Sequence, residues 1–177
     1  DVYKRQHITH HTQNTTSTMI FSRDCAPTIK KLASYYPVVV VTGPRQSGKT
    51  TLVRSLFGEY EYVNLESPSA LQAVKRDPRS FLQNKKKGVI FDEAQKYPEL
   101  FSYLQVEVDE NDAPGRFIIS GSENLSLTEK VSQSLAGRAG YLTLLPLSLS
   151  ELMRAEKYPR SISEQLLWGG YPRPHAH

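Results

Sequence analysis

Val38-Val39-Val40-Val41-Thr42-Gly43-Pro44-Arg45-Gln46-Ser47-Gly48-Lys49-Thr50 is the stretch whose reading decides the fold. Its first part is an unbroken β-branched run, the composition of a strand buried on both faces. Its second part fits the phosphate-binding loop pattern G-x-x-x-x-G-K-[ST] at every specified position. Residues 50–56 then have the composition of a helix start. Strand, glycine loop and helix together make the pattern a candidate site. A plain turn between strand and helix is the competing reading.

The residue types have separable reasons. Gly43 and Gly48 permit backbone angles closed to residues with a Cβ and let a phosphate approach closely. The loop Gly43, Pro44, Arg45, Gln46, Ser47 and Gly48, with Lys49, Thr50 and Thr51 behind it, is expected to wrap the anion. Its N–H groups converge there, and the helix N-terminus adds partial positive charge. Lys49 is expected to reach the β- and γ-phosphates of ATP, and the Thr50 hydroxyl to ligate Mg²⁺.

Gly88-Val89-Ile90-Phe91-Asp92-Glu93 is the second informative stretch, an apolar strand ending in two carboxylates. A Walker B segment looks like this. If the strand lies beside the first, Asp92 faces the Mg²⁺ through water and Glu93 can orient and activate the attacking water. Alone the signal is weak, since a surface turn reads the same way. Downstream of a phosphate loop it gains force. Arg116-Phe117-Ile118-Ile119-Ser120 reads as a further strand, and a polar residue at its end, Ser120 or Ser122, is a candidate γ-phosphate sensor. A structural serine competes with that reading.

The remaining elements follow from periodicity and punctuation. Helices are expected over residues 27–35, from Pro68 to before Asp77, over 79–83 and over 99–108. Leu127, Val131 and Leu135 mark another that closes at Gly137-Arg138, with short ones over 150–155 and 161–168. Strands are expected over 60–65 and 141–145. The alternation βαβαβαβαβ predicts an α/β fold, a parallel sheet with helices on both faces.

The chain of 177 residues has room for one domain with a core and a short extension. Its charge of +4 is too mild to imply nucleic acid, and the run Lys85-Lys86-Lys87 reads as a solvated loop. The single cysteine, Cys25, excludes an internal disulfide and suits a reducing cytosol. No apolar run approaches a membrane span, so a cytoplasmic protein is expected. Residues 1–18 are polar and rich in Thr and His without apolar periodicity, the composition of a disordered tail. His7, His10 and His11 have no carboxylate or thiol among them, which argues against a metal site. The opening six residues look like translated adapter sequence, and Met19 is the expected natural start.

From Met19 to Pro174 the chain resembles the AAA-type ATPases, found widely in bacteria and archaea as uncharacterised ATP-binding proteins. The likeness rests on the phosphate loop and on Phe91-Asp92-Glu93-Ala94-Gln95-Lys96-Tyr97-Pro98. It also rests on Ser120-Gly121-Ser122, Ser134-Leu135-Ala136-Gly137-Arg138, Leu144-Leu145-Pro146-Leu147-Ser148 and Gly169-Gly170-Tyr171-Pro172. Two departures, Ala94 for a larger aliphatic and Glu123 for Gln, do not touch the phosphates. The resemblance implies a P-loop NTPase three-layer sandwich with five parallel strands in the order 5-1-4-3-2. It implies an ATPase core over residues 19–150, with a helical extension over 151–177. That extension would lead to a C-terminal domain related to restriction-endonuclease folds. In ring-forming relatives, the place of Arg138 faces a neighbouring subunit's nucleotide, so the resemblance implies a homo-oligomer with Arg138 acting in trans. A helix-terminal arginine is the alternative.

Mg²⁺-dependent ATP hydrolysis driving an effector is therefore the leading expectation. Glu93, Lys49 and Arg138 are the catalytic candidates, and Thr50 and Asp92 the metal ligands. A nucleotide-binding switch with little turnover is the second reading, and a small-molecule P-loop kinase the third. The kinase is disfavoured because Asp92-Glu93 supplies a water-activating carboxylate. A nucleic-acid partner is left open through the C-terminal domain, though nothing in the sequence argues for it strongly, and the effector's target is left open as well.

Overall fold

Four consecutive valines leave no room for an exposed face, and β1 (Val38–Thr42) accordingly runs through the middle of the molecule with all four at most 1% exposed. The computed structural model describes residues 20–85, 87–122, 134–157, 159 and 161–176. Around β1 the described strands are β2 (Glu61–Asn64), β3 (Val89–Asp92), β4 (Phe117–Ser120) and β5 (Ala139–Thr143). They form one sheet in the order β2-β3-β4-β1-β5, and every pairing is parallel. This is the expected 5-1-4-3-2 order read from the other edge.

The alternation of side chains sorts the strands' residues between two apolar layers. Val38, Val40, Phe91, Phe117 and Ile119 face one side, packed with α3 (Pro68–Arg76), α4 (Pro78–Gln83) and α5 (Leu100–Glu110). Val39, Val41, Ile90 and Ile118 face the other, against α1 (Ala26–Tyr35) and α2 (Lys49–Leu56). Helices cover both faces, so the fold is the three-layer α/β sandwich of P-loop NTPases. A third, smaller cluster joins Phe21 and Leu147 to Leu152 of α6 (Leu149–Arg154). That helix spans residues 150 and 151, where core was expected to give way to extension. The chain then forms α7 (Ile162–Trp168) and α8 (Pro172–His175).

Two expectations need correction. The last strand begins at Ala139, two residues before the apolar run at Tyr141, and ends at Thr143. Gly140 carries no apolar signal because the space above it is taken: a Cβ there would lie 2.9 Å from both Leu32 and Tyr36. Leu144 lies beyond the strand, though its N–H still donates to the Thr42 carbonyl at 2.8 Å. Helix α8 was not foreseen, since Pro172 and Pro174 in four residues argue against one; Pro172 occupies its first turn, where proline is tolerated. The expected tail and the body of the helix marked by Leu127 and Val131 lie outside the described residues.

Candidate functional site

Parallel strands end together, and here β1, β3 and β4 deliver their polar ends to one edge of the sheet. β1 runs directly into the phosphate loop. The loop's backbone is unusual at three places: φ is 144° at Gly43, 63° at Gln46 and 94° at Gly48. At Gly43 the demand comes from the fold as well as from any ligand, because a Cβ would lie 2.2 Å from the Leu144 carbonyl oxygen. Gly48 begins α2, which has no side-chain cap and no acidic residue in its first turn. Its first N–H groups thus have no carboxylate of their own, which suits an incoming anion.

Lys49 is buried, and its ammonium donates to the carbonyls of Gly43 at 2.9 Å and Pro44 at 2.7 Å. Thr50 donates to Asp92 Oδ2 at 2.7 Å, so the two expected metal ligands meet across the end of β3. Asp92 is the hub of this cluster. Its Oδ2 also accepts from the Tyr62 hydroxyl at 2.8 Å, while Oδ1 accepts from Ser120 at 2.6 Å and from the Glu93 N–H at 3.1 Å. Burial first, then the Asp92 carboxylate, pushes the Tyr62 phenol well above its ordinary pKa, keeping it a donor. Glu93 holds a left-handed φ of 54°, unusual for a residue with a side chain. Its carboxylate accepts from the Gln95 amide, which also donates to Ser122 at 3.0 Å.

A cleft of about 690 Å³ opens over the loop. Its walls include Arg45, Gln46, Gly48, Lys49, Thr50 and Thr51, and Glu93 reaches it from β3. The far wall comes from Pro172 and Arg173 of α8. The size suits a nucleotide. Thr50 and Asp92 offer hard oxygen donors, which fit Mg²⁺, a cation that takes one or two carboxylates and keeps waters. No three His, Cys, Asp or Glu side chains gather elsewhere to hold a metal among the described residues.

The sequence-predicted residues thus fall into groups. The loop, Thr50, Asp92 and Glu93 come together. Ser120 is fully buried with its hydroxyl turned to Asp92, and Ser122 meets Gln95. Arg138 stands apart: its carbonyl accepts from the N–H of Val38, at the opposite end of β1 from the loop. There its guanidinium binds the Asp109 carboxylate.

Sequence reasoning missed Tyr62, Gln95 and Arg23. Arg23 is buried, donating to the Ser47 carbonyl of the loop at 2.8 Å and to Glu151 of α6 at 3.1 Å. Nothing local to Arg23 signals this, because its partners lie 24 and 128 residues away. Tyr62 offered a faint signal, a tyrosine on a strand expected beside the carboxylate-bearing one.

Among known proteins, the family model described as an AAA domain matches residues 35–153. An uncharacterized protein of Mycobacterium tuberculosis and one of Mycobacterium bovis are each 36% identical over 135 residues, which is 76% of this chain. The matched region is 31% of each relative's length. Among solved structures, a Walker-type ATPase of Pyrococcus abyssi superposes with a TM-score of 0.61 at 18% identity, covering 89% of this chain and 66% of that one. DnaA from Aquifex aeolicus, solved bound to AMPPCP, gives 0.56 at 13% identity, covering 84% of this chain and 55% of that one. At such identities the likeness is one of fold.

Proposed function

The chain belongs to the AAA domain family as a P-loop ATPase domain, and from that premise we propose that it binds ATP with Mg²⁺ in the cleft over the phosphate loop and hydrolyses it. One observation carries this reading. The Thr50 hydroxyl and Asp92 carboxylate meet at 2.7 Å beside the loop, and Glu93 lines the same cleft. The loop and the N-terminus of α2 bind the β- and γ-phosphates. Lys49 exchanges its two carbonyl partners for phosphate oxygens, a stronger, charge-assisted pairing. Thr50 and Asp92 hold the Mg²⁺, which when bound neutralises charge developing on the transferred phosphoryl group. Glu93 orients a water for in-line attack and takes its proton. Tyr62 and Ser120 fix the Asp92 carboxylate by donating to its two oxygens.

Two parts of the proposal reach beyond this chain's own cleft. Hydrolysis is coupled to an effector outside residues 20–176, consistent with relatives about three times longer than the matched region. Arg138 serves a neighbour's nucleotide, since in its own chain it lies at the other end of β1. In that case activity per subunit rises with protein concentration, and Arg138→Ala removes the rise.

The deciding experiment is calorimetric titration with ATP, with and without Mg²⁺, beside a phosphate-release assay. Micromolar binding strengthened by Mg²⁺, together with turnover that EDTA stops, is the expected result. Binding without turnover leaves the switch reading in its place. Equal ATP affinity for the wild type and Lys49→Ala removes the site from this cleft altogether.

A further inference from the structure

We propose that Gln95 is the positioning residue for Glu93, and that it ties the water-activating carboxylate to Ser122 at the end of β4. The inference rests on the reading of Glu93 as the group that activates water. A primary amide has two N–H bonds. Both are in use here: Nε2 donates to Glu93 Oε2 and to Ser122 Oγ, the latter at 3.0 Å. The chemistry fixes which end of the amide faces inward, because a carbonyl oxygen turned toward a carboxylate would be repelled. The other end gains nothing, since Gln95 Oε1 is buried with no hydrogen-bond partner among the described residues. A side chain that leaves its own acceptor buried and unsatisfied is held by what its donors bind.

The arrangement has two consequences. With Oε2 engaged by Gln95, the Glu93 carboxylate has a fixed plane and its other oxygen is left for a water. The left-handed backbone at Glu93 and the short 3₁₀ turn Ala94–Lys96 bring Gln95 back alongside it. The second consequence distinguishes the two serines. Ser120 donates its proton to Asp92 Oδ1. Ser122 accepts from Gln95 and retains its own proton for an acceptor such as a terminal phosphate. β4 lies between β1 and β3, so Ser122 stands between the loop and the carboxylates. Movement of Ser122 on meeting the phosphate is then felt at Glu93 through one amide.

The test compares the full chain with Gln95→Met, which keeps the length and loses both donations. Gln95→Glu adds a like charge facing Glu93. Single-turnover hydrolysis should fall roughly 10- to 100-fold in Gln95→Met, the scale of a catalytic group misplaced by about 1 Å. It should fall further in Gln95→Glu, with nucleotide affinity and melting temperature held in both. Ser122→Ala should cost less in the Gln95→Met background than in the wild type. Wild-type turnover in Gln95→Met overturns the proposal, and effects that multiply overturn the link to Ser122. A wild type that binds nucleotide without hydrolysing it refutes the ATPase reading instead. The link is then decided by the ¹⁵N side-chain amide resonances of Gln95, which should shift in both Glu93→Ala and Ser122→Ala. Resonances unmoved by either variant overturn it.

Discussion

Two buried polar clusters flank the phosphate loop, and they are built on opposite plans. The Asp92 cluster joins Thr50, Tyr62, Ser120 and Asp92 at the ends of neighbouring strands and the start of α2, on the edge of an open cleft. The Arg23 cluster closes on itself. Its guanidinium binds Glu151 Oε1, the Ser47 carbonyl and the carbonyl of Leu145, with Arg23 and Glu151 side chains only 6% and 5% exposed. Glu151 is equally committed, accepting also from the N–H groups of Asp24 and Ser148. The first cluster has three hydroxyls donating to one carboxylate beside a cleft. The second is an ion pair satisfied by its own chain. The first is the cluster we propose to be catalytic; the second is a joint between the N-terminal arm, the loop and α6.

That contrast makes graded predictions. The largest effect belongs to the open cluster's neighbour. Glu93→Gln keeps shape and hydrogen bonding but loses the base, so hydrolysis should drop about 10²–10⁴-fold while ATP affinity holds. A variant that turns over at the wild-type rate would move the water-activating group elsewhere and weaken the distinction between the clusters.

Next comes the closed cluster. Glu151→Ala strands the Arg23 guanidinium in the interior, and unfolding in urea should show a loss of about 3–5 kcal/mol. The paired replacement Arg23→Met with Glu151→Leu should recover only part of it: the desolvation penalty goes with the charges, but the carbonyls of Ser47 and Leu145 and the N–H groups of Asp24 and Ser148 lose their partners. A loss under about 1 kcal/mol in Glu151→Ala would mean that solvent reaches this joint after all.

Lys49→Ala is expected to be intermediate. A charge-assisted hydrogen bond of about 1.5–3 kcal/mol corresponds to a roughly 10- to 150-fold weaker ATP affinity by calorimetry. Folding stability should change far less than in Glu151→Ala if Lys49 acts on the nucleotide as proposed. The smallest stability effect falls at the far end of the sheet. Arg138 and Asp109 are a part-exposed pair, so Arg138→Ala should cost the single chain no more than about 1 kcal/mol in a thermal melt. A larger loss would make Arg138 a structural residue and undercut its proposed work on a neighbour.

The two clusters also differ in how legible they were. The strand Val38–Thr42, the loop Gly43 to Thr50 and the carboxylates Asp92 and Glu93 are local patterns, so their chemistry can be read within a few residues of chain. Their convergence follows from topology alone once the sheet is parallel. Tyr62 and Gln95 escape such reading because their hydrogen-bond partners are set by strand register or by a left-handed turn. Arg23 escapes it entirely. A single arginine in Phe21-Ser22-Arg23-Asp24 looks like any surface charge until Glu151 is folded against it. The start of β5 was misread for a steric reason, since Gly140 has no side chain to collide with Leu32 and Tyr36.

The joint between Arg23 and Glu151 also has a consequence in time. During synthesis the phosphate loop leaves the ribosome with its arginine already made, but the glutamate comes 128 residues later. At ordinary elongation speeds that interval is on the order of ten seconds. Until then Arg23 has no counter-charge, although β4 and β5 precede Glu151 in the chain. Sheet pairings of this span form late because their loop-closure entropy must be met first. If the loop binds ATP as proposed, ribosome stalling before Glu151 is expected to leave a chain that retains ATP less well, because Arg23 then holds the Ser47 carbonyl without its counter-charge.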